Sequence, residues 1–413
     1  MPKPGGQFDR RLADLRDVFS VRAFRLFSIG NFASLSAIWL VRFCVAWLTW
    51  EATQSKTWLG IMAFAELGPS IAISLYAGTL ADRMDRLAIL RMGQGLQAVL
   101  GVLLFLLQAT GQLTVWWMLP ILLGFSVLGG LNLPARLAAA PSLVGRERLA
   151  TASAVGSMTL NLTRLLGPLI AAPLLVLGYE WLAFLLAVIG FAINALCLAS
   201  IRPEESAVAS VASGEEEAPG ALRDVLAGML ADRPMRLVLT LQVAASLLLR
   251  PLNDMFPAFA DQVFARGEAG YAGLTIAVGL GAIAGAWLVV GAEAGNAMRR
   301  HVLFGTASFA LAMALFALTG QFLIAALALL VFGASMTVSG IAGTTFVQAR
   351  TSIGRLGRVM SIYSLVYRLA PALGALGLGT LADLIGLRFA SVICASAALV
   401  IVALCAPGLR KPE

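Results

Sequence analysis

Six ionisable side chains lie inside runs that are otherwise apolar: Arg42, Glu66, Arg164, Arg250, Asp254 and Arg368. A charge at the centre of a bilayer costs on the order of 3 kcal/mol, so it is kept there only where it faces a protein interior or a water-filled path. Guanidiniums stay protonated when buried and grip planar anions through forked hydrogen bonds, whereas a buried carboxylate can exchange a proton. Four arginines against two carboxylates therefore describe a cavity that favours anionic or catecholate-bearing molecules. Amides extend the set. Asn31 precedes Arg42 by about three helical turns and shares its face, Asn161 stands one turn before Arg164, and Asn253 follows Arg250. Arg42 and Glu66 each fall about 13 Å from the outer end of their apolar run at 1.5 Å per residue, which allows a structural ion pair or a coupling site. Glu66 is the first candidate proton carrier. Asp254 is the second, with Arg250 four residues earlier as its partner.

Other chemistries lack material. Cys44, Cys197, Cys394 and Cys405 sit in apolar runs with no Cys-x-x-Cys or Cys/His spacing, and read as small packing residues. His301, the one histidine, is expected in a surface loop after Arg299 and Arg300. No Gly-x-x-x-x-Gly-Lys-[Ser/Thr] run is present, which argues against ATP as the direct energy source. No enzyme activity, cofactor or metal is expected. A channel is disfavoured because charges lie on several helices and no filter segment repeats.

The elements that must position these residues follow from composition. With 59% hydrophobic and 13% charged residues in 413, the chain is a polytopic membrane protein of all-α class. Windows of about 20 apolar residues give twelve transmembrane helices, near 23–50, 57–81, 87–109, 114–140, 149–178, 181–201, 235–260, 269–292, 301–319, 321–349, 357–382 and 386–407. Arginines and lysines crowd the termini and alternate loops, whereas the opposite loops hold only Lys56, Arg266 and Arg388, so both termini are expected in the cytoplasm. The net charge of +8 follows from this topology and does not imply nucleic-acid binding.

Five regions result: a cytoplasmic tail with an amphipathic helix over 1–22, a six-helix bundle over 23–201, a linker with a second amphipathic helix over 202–234, a second bundle over 235–408 and a tail over 409–413. The halves repeat in sequence. Leu15-Arg16-Asp17-Val18 is matched by Leu222-Arg223-Asp224-Val225, Gly60, Leu67, Gly68 and Gly78 recur as Gly273, Leu280, Gly281 and Gly291, and Ser153 and Gly178 recur as Ser361 and Gly386. Two pseudo-symmetric six-helix bundles are what such a repeat predicts. Gly281 and Gly285 mark close helix contact in span 8. Spans 3, 6, 9 and 12 hold no ionisable residue far from their ends and suit a lipid-facing position. Span 7 aligns Gln242, Ser246, Arg250 and Asn253 as one stripe, and Pro251 and Pro257 should break it.

Between spans 2 and 3 stands Gly78-Thr79-Leu80-Ala81-Asp82-Arg83-Met84-Asp85-Arg86. This Gly-x-Leu-Ala-Asp-Arg run followed by an acidic residue and Arg resembles the loop signature of the major facilitator superfamily, in the form of its transmembrane secretion effector branch, which includes enterobactin and macrolide exporters. The superfamily usually has Gly where Asp85 stands and a basic residue where Leu87 stands. Arg164 before Gly167-Pro168 is similar to the fifth-span motif of drug–proton antiporters, with Thr163 replacing its first glycine and Ala171-Ala172 the trailing ones. The resemblance implies that Gly78, Asp82, Arg83 and Arg86 form a conformational latch. Asp82 could accept from the start of span 11 near Gly357 and pair with Arg136.

The sequence thus points to a secondary active transporter in the inner membrane that exports a small amphipathic, anionic, siderophore-like or drug-like molecule. Proton-coupled alternating access is implied by the resemblance. Its expected partners are substrate, protons and the lipid bilayer, and its expected state is monomeric. An importer of a polar metabolite is the alternative on the same fold.

Overall fold

In a computed structural model of the chain, residues 14–81, 86–144, 146–202, 222–289 and 296–410 are described. Among these residues all regular structure is helical, and twelve helices are long and apolar enough to cross a membrane. In chain order they are Arg22–Thr53, Lys56–Ala81, Arg86–Ala109, Val115–Ser142, Leu149–Val176, Glu180–Ala199, Arg233–Val263, Gly267–Val289, Asn296–Leu318, Phe322–Arg350, Ile353–Ile385 and Leu387–Arg410, referred to below as spans 1 to 12. Residues 14–20 and Leu222–Ala231 form short helices ahead of spans 1 and 7. Continuous helix is forced here because backbone groups in hydrocarbon can only be satisfied within their own segment. Spans 3, 6, 9 and 12 expose apolar side chains such as Val99, Leu196, Leu311 and Leu404, a surface suited to lipid.

The described chain divides into two compact units. Unit 1 comprises Met1–Val45 with Pro69–Gly214, and unit 2 comprises Ala46–Gly68 with Glu215–Glu413. In unit 1 the short helix and span 1 bury Val18, Phe24 and Phe27 against Leu87 and Leu90 of span 3, Ala135 of span 4, Ala152 of span 5 and Leu198 of span 6. In unit 2, Val238 and Leu241 of span 7 pack with Val302, Ala342, Phe346 and Val402. Small residues set the closest approaches in unit 2. Gly281 lies against the Leu330 carbonyl, Gly285 against that of Ala334, and Gly333 of span 10 against that of Val278, so spans 8 and 10 meet backbone to backbone.

The internal repeat is visible as repeated local geometry. Arg25 Nη1 donates to the Phe19 carbonyl (3.4 Å) and Arg236 Nη1 to that of Leu230 (2.9 Å). Each half also carries a forked ion pair, at positions the repeat does not match: Arg148, after span 4, on Asp17 at 2.6 and 2.8 Å, and Arg350, at the end of span 10, on Asp232 at 2.5 and 3.2 Å. Gly178 and Gly386, a repeated pair in the sequence, both take positive φ (72° and 92°) where spans 5 and 11 end, a conformation that glycine adopts without a Cβ penalty.

Span 7 is not one α-helix. Arg233–Ala244 is α-helical, Ala245–Leu249 is a π turn, Arg250–Met255 a 3-10 segment, Phe256–Ala258 a single α turn and Phe259–Val263 a second π turn. Pro251 and Pro257 remove two backbone donors within this stretch, and the turns to either side adjust. The π turn inserts an extra residue within the expected stripe, along which Gln242 and Ser246 are buried and Arg250 and Asn253 half-buried. Span 9 brings a correction. It starts at Asn296, placing Arg299, Arg300 and His301 in its first turns rather than in a loop; Arg299 is buried, and His301 Nδ1 lies 2.7 Å from the Ala297 carbonyl.

Candidate functional site

In unit 1 the two interior arginines meet one ring. Trp39 stands one turn before Arg42 on span 1, and Gly167 brings span 5 against it: a Cβ there would lie 2.5 Å from that of Trp39 and 2.9 Å from its carbonyl carbon. Arg164, one turn before Gly167, puts its Cζ 5.5 Å from the Trp39 ring centroid, and the Arg42 Cζ is 5.2 Å from the same centroid. An indole face attracts cations through its quadrupole, so one ring holds two guanidiniums in place. Both arginines are half-buried. Asn161 is exposed and its Nδ2 donates to the Ser157 carbonyl (3.0 Å), so that donor is engaged within its own helix.

Below this pair, unit 1 buries a group of amides. Ser34 Oγ donates to Gln94 Oε1 at 2.9 Å, and Asn132 lies against Gly93, where no Cβ would fit. Asn31 Oδ1, Gln94 Nε2, Gln97 Oε1 and both amide atoms of Asn132 are buried without a protein hydrogen-bond partner. Sequence reasoning named Asn31 but passed over Gln94, Gln97 and Trp39. Spacing gives a signal in hindsight, since Gln94 and Gln97 are one turn apart, as are Trp39 and Arg42.

In unit 2 the Arg250 guanidinium lies over the Tyr367 ring, its Cζ 3.7 Å from the centroid, and donates through Nη2 to Tyr367 Oη; its Nε is buried without a hydrogen-bond partner. Asn253 Nδ2 donates to the Arg250 carbonyl at 2.8 Å, which ties two candidates to the broken stretch of span 7. Tyr367 stacks on Tyr363 with centroids 5.9 Å apart. Tyr363 Oη accepts from Gln242 Nε2 (3.0 Å), which also donates to the Ser339 carbonyl (2.9 Å), and Ser339 Oγ bonds Thr306 Oγ1 (2.9 Å). A polar network thus links spans 7, 9, 10 and 11. Its tyrosines escaped the sequence reading although they sit four residues apart on the helix of Arg368. Glu66 and Asp254 are half-buried, and Arg368 is exposed.

Of the loop candidates, Asp82 and Arg83 lie outside the described residues, as does the side chain of Arg86; Gly78 is in the helix of span 2 and Arg136 is half-buried in span 4. Two other carboxylates of unit 2 engage the hairpin between spans 1 and 2. Asp261 Oδ2 accepts from Trp50 Nε1 at 3.0 Å. Asp383 accepts from Ser55 Oγ (2.9 Å) and from the backbone N–H groups of Lys56 (3.1 Å) and Thr57 (2.8 Å), with Lys56 Nζ 3.5 Å away. Both acids stand near the ends of spans 7 and 11, where an acid reads as ordinary surface.

Twelve membrane-length helices with an internal repeat are the architecture of a secondary active transporter of the major facilitator superfamily. The sequence model described as "transmembrane secretion effector" matches residues 16–413, and the chain belongs to that family. It is 28% identical over 372 residues to the enterobactin exporter EntS of Shigella boydii serotype 4 (strain Sb227), covering 87% of this chain and 85% of that one. EntS of Escherichia coli O81 (strain ED1a) is 28% identical over 370 residues, with the same coverage. Among solved structures, a POT family transporter in complex with a thioalcohol-conjugated peptide superposes with a TM-score of 0.73 at 15% identity, covering 94% and 97% of the two chains. The nucleoside transporter NupG gives 0.67 at 12% identity, covering 94% and 100%. At these identities the structures share the fold.

Proposed function

We propose that this transporter exports a small amphipathic anion by proton-coupled alternating access, with both termini in the cytoplasm of an inner-membrane monomer. The supporting observation is the Trp39 ring with Arg42 and Arg164 against it, two permanent positive charges fixed at one place in unit 1. A planar or carboxylate-bearing anion gains forked hydrogen bonds from guanidiniums already held in position, so less side-chain entropy is lost on binding. Arg250 on Tyr367 supplies a similarly fixed cation in unit 2. Export is taken from the relatives, which are named as exporters of enterobactin.

Glu66 is the proposed proton carrier and Asp254 the second candidate, both half-buried in unit 2. Asn31, Asn161, Asn253 and Arg368 are proposed to line the substrate path, and Gly78, Asp82, Arg83 and Arg86, with Arg136, to form the cytoplasmic latch. The test is reconstitution in vesicles with an imposed pH gradient. Glu66→Gln should abolish gradient-driven export while substrate exchange persists. Loss of coupling in Asp254→Asn alone would move the proton to span 7, and full coupling in both variants would remove both residues from the proton path. Anionic amphiphiles should bind and compete; high-affinity transport of lipophilic cations with no competition from anions would overturn the substrate assignment.

A further inference from the structure

We propose that Asp383 and Asp261 are the latch of the extracytoplasmic side, closing it by holding the hairpin between spans 1 and 2; the side is assigned by the orientation proposed above. Span 2 begins at Lys56, and its first backbone N–H groups have no partner within the helix. The local cap is partial: Ser55 Oγ accepts from Trp58 N at 3.3 Å. Asp383, from the far end of the sequence, supplies the rest, accepting from the N–H groups of Lys56 and Thr57 and from Ser55 Oγ, with the Lys56 ammonium beside it. A carboxylate is favoured at the positive end of a helix, so this contact joins charge, dipole and hydrogen bonding.

The backbones are shaped for it. A Cβ at Gly379 would strike the Lys56 carbonyl, and one at Gly60 would strike that of Ala375, so spans 2 and 11 meet on small residues where side chains do not interlock. At the other leg of the hairpin, Asp261 in the last π turn of span 7 holds the fully buried Trp50 through its indole N–H, and Trp47 stacks on Tyr271 of span 8 with centroids 6.2 Å apart. The Lys56 side chain is 15% exposed and that of Asp383 30%, so water can take over these hydrogen bonds when the contact separates. Between spans 2 and 11, polar partners that water can replace, on a face of small residues, form a contact that can be broken and remade in each cycle. A packed apolar seam would resist this.

The test uses the full chain in lipid nanodiscs, with spin labels at Ala52→Cys and Leu384→Cys and the native cysteines replaced by alanine. Unaltered protein should give a dominant short distance with a minor population at longer ones. Asp383→Asn removes the charge, and the population at longer distances should rise about tenfold. Asp261→Asn should act in the same direction, and the double variant more strongly, with the thermal midpoint of unfolding little changed. If Asp383→Asn does not fold, Ser55→Ala with Lys56→Ala removes two side-chain partners of the carboxylate and should produce the same rise. Unchanged distances in whichever of these variants folds would overturn the proposal. A rise in distance in these variants, with no pH-driven export by the unaltered protein, would sink the coupling assignment and leave the latch standing; coupled export by the unaltered protein with unchanged distances in the variants would do the reverse. An impermeant thiol reagent applied to intact cells should label Ala52→Cys, and failure to label from outside would overturn the placement of the latch.

Discussion

Single side chains here act through the groups that hold them. Arg42 and Arg164 are fixed by one indole, so Trp39→Leu should lower affinity for an anionic substrate about tenfold, whereas Trp39→Phe keeps a π face and should lose less than about threefold. Competition binding on purified protein checks both. Tyr367→Phe keeps the ring under Arg250 and deletes only its acceptor, leaving a charged donor short of a partner at a cost of about 1–3 kcal/mol. A fall in the thermal midpoint is expected, with Tyr363 still stacked. The interior charges were legible in the sequence because a charge in an apolar run is conspicuous whatever surrounds it. Their holders were not, since Trp39 and Tyr367 have the composition of ordinary membrane helix and acquire a role only when Arg164 and Arg250 arrive from other spans.

At the level of elements, length and hydropathy decide most of the outcome, and all twelve spans could be read directly. The break in span 7 was legible from Pro251 and Pro257, but its π turns were not, because they depend on how neighbouring helices re-satisfy the freed backbone groups. Helix contacts were legible where glycine spacing marks them. Gly281→Leu should overpack the seam between spans 8 and 10 and cost about 1–3 kcal/mol, because the obstacle is the Leu330 backbone and cannot rotate away. Gly95→Ala is the control: nothing lies within 4 Å of the added carbon, and greater helix propensity should leave the thermal midpoint unchanged or slightly raised. The acids on the hairpin stayed hidden for another reason, since Trp50 and Asp261 are 211 residues apart in sequence, and Thr57 and Asp383 are 326.

Over the whole molecule the sequence repeat returns as paired geometry in Arg25 on the Phe19 carbonyl and Arg236 on that of Leu230, and each half adds a forked ion pair at positions the repeat does not match, Arg148 on Asp17 and Arg350 on Asp232. These side chains are between 31% and 52% exposed, so water screens them, and Asp232→Ala should cost less than about 1 kcal/mol in thermal unfolding. The duplication is less modular than the repeat suggests. Unit 2 includes Ala46–Gly68, so the boundary between the compact units crosses two continuous helices, and only its third crossing falls within the linker expected over 202–234. A gene divided at that linker would yield a second product lacking the hairpin that Asp383 and Asp261 hold. Expressed alone, it should be degraded or aggregate, and co-expression with the first product should rescue it. On that outcome, whatever ancestral unit was doubled, the descendant halves have ceased to be separately heritable parts.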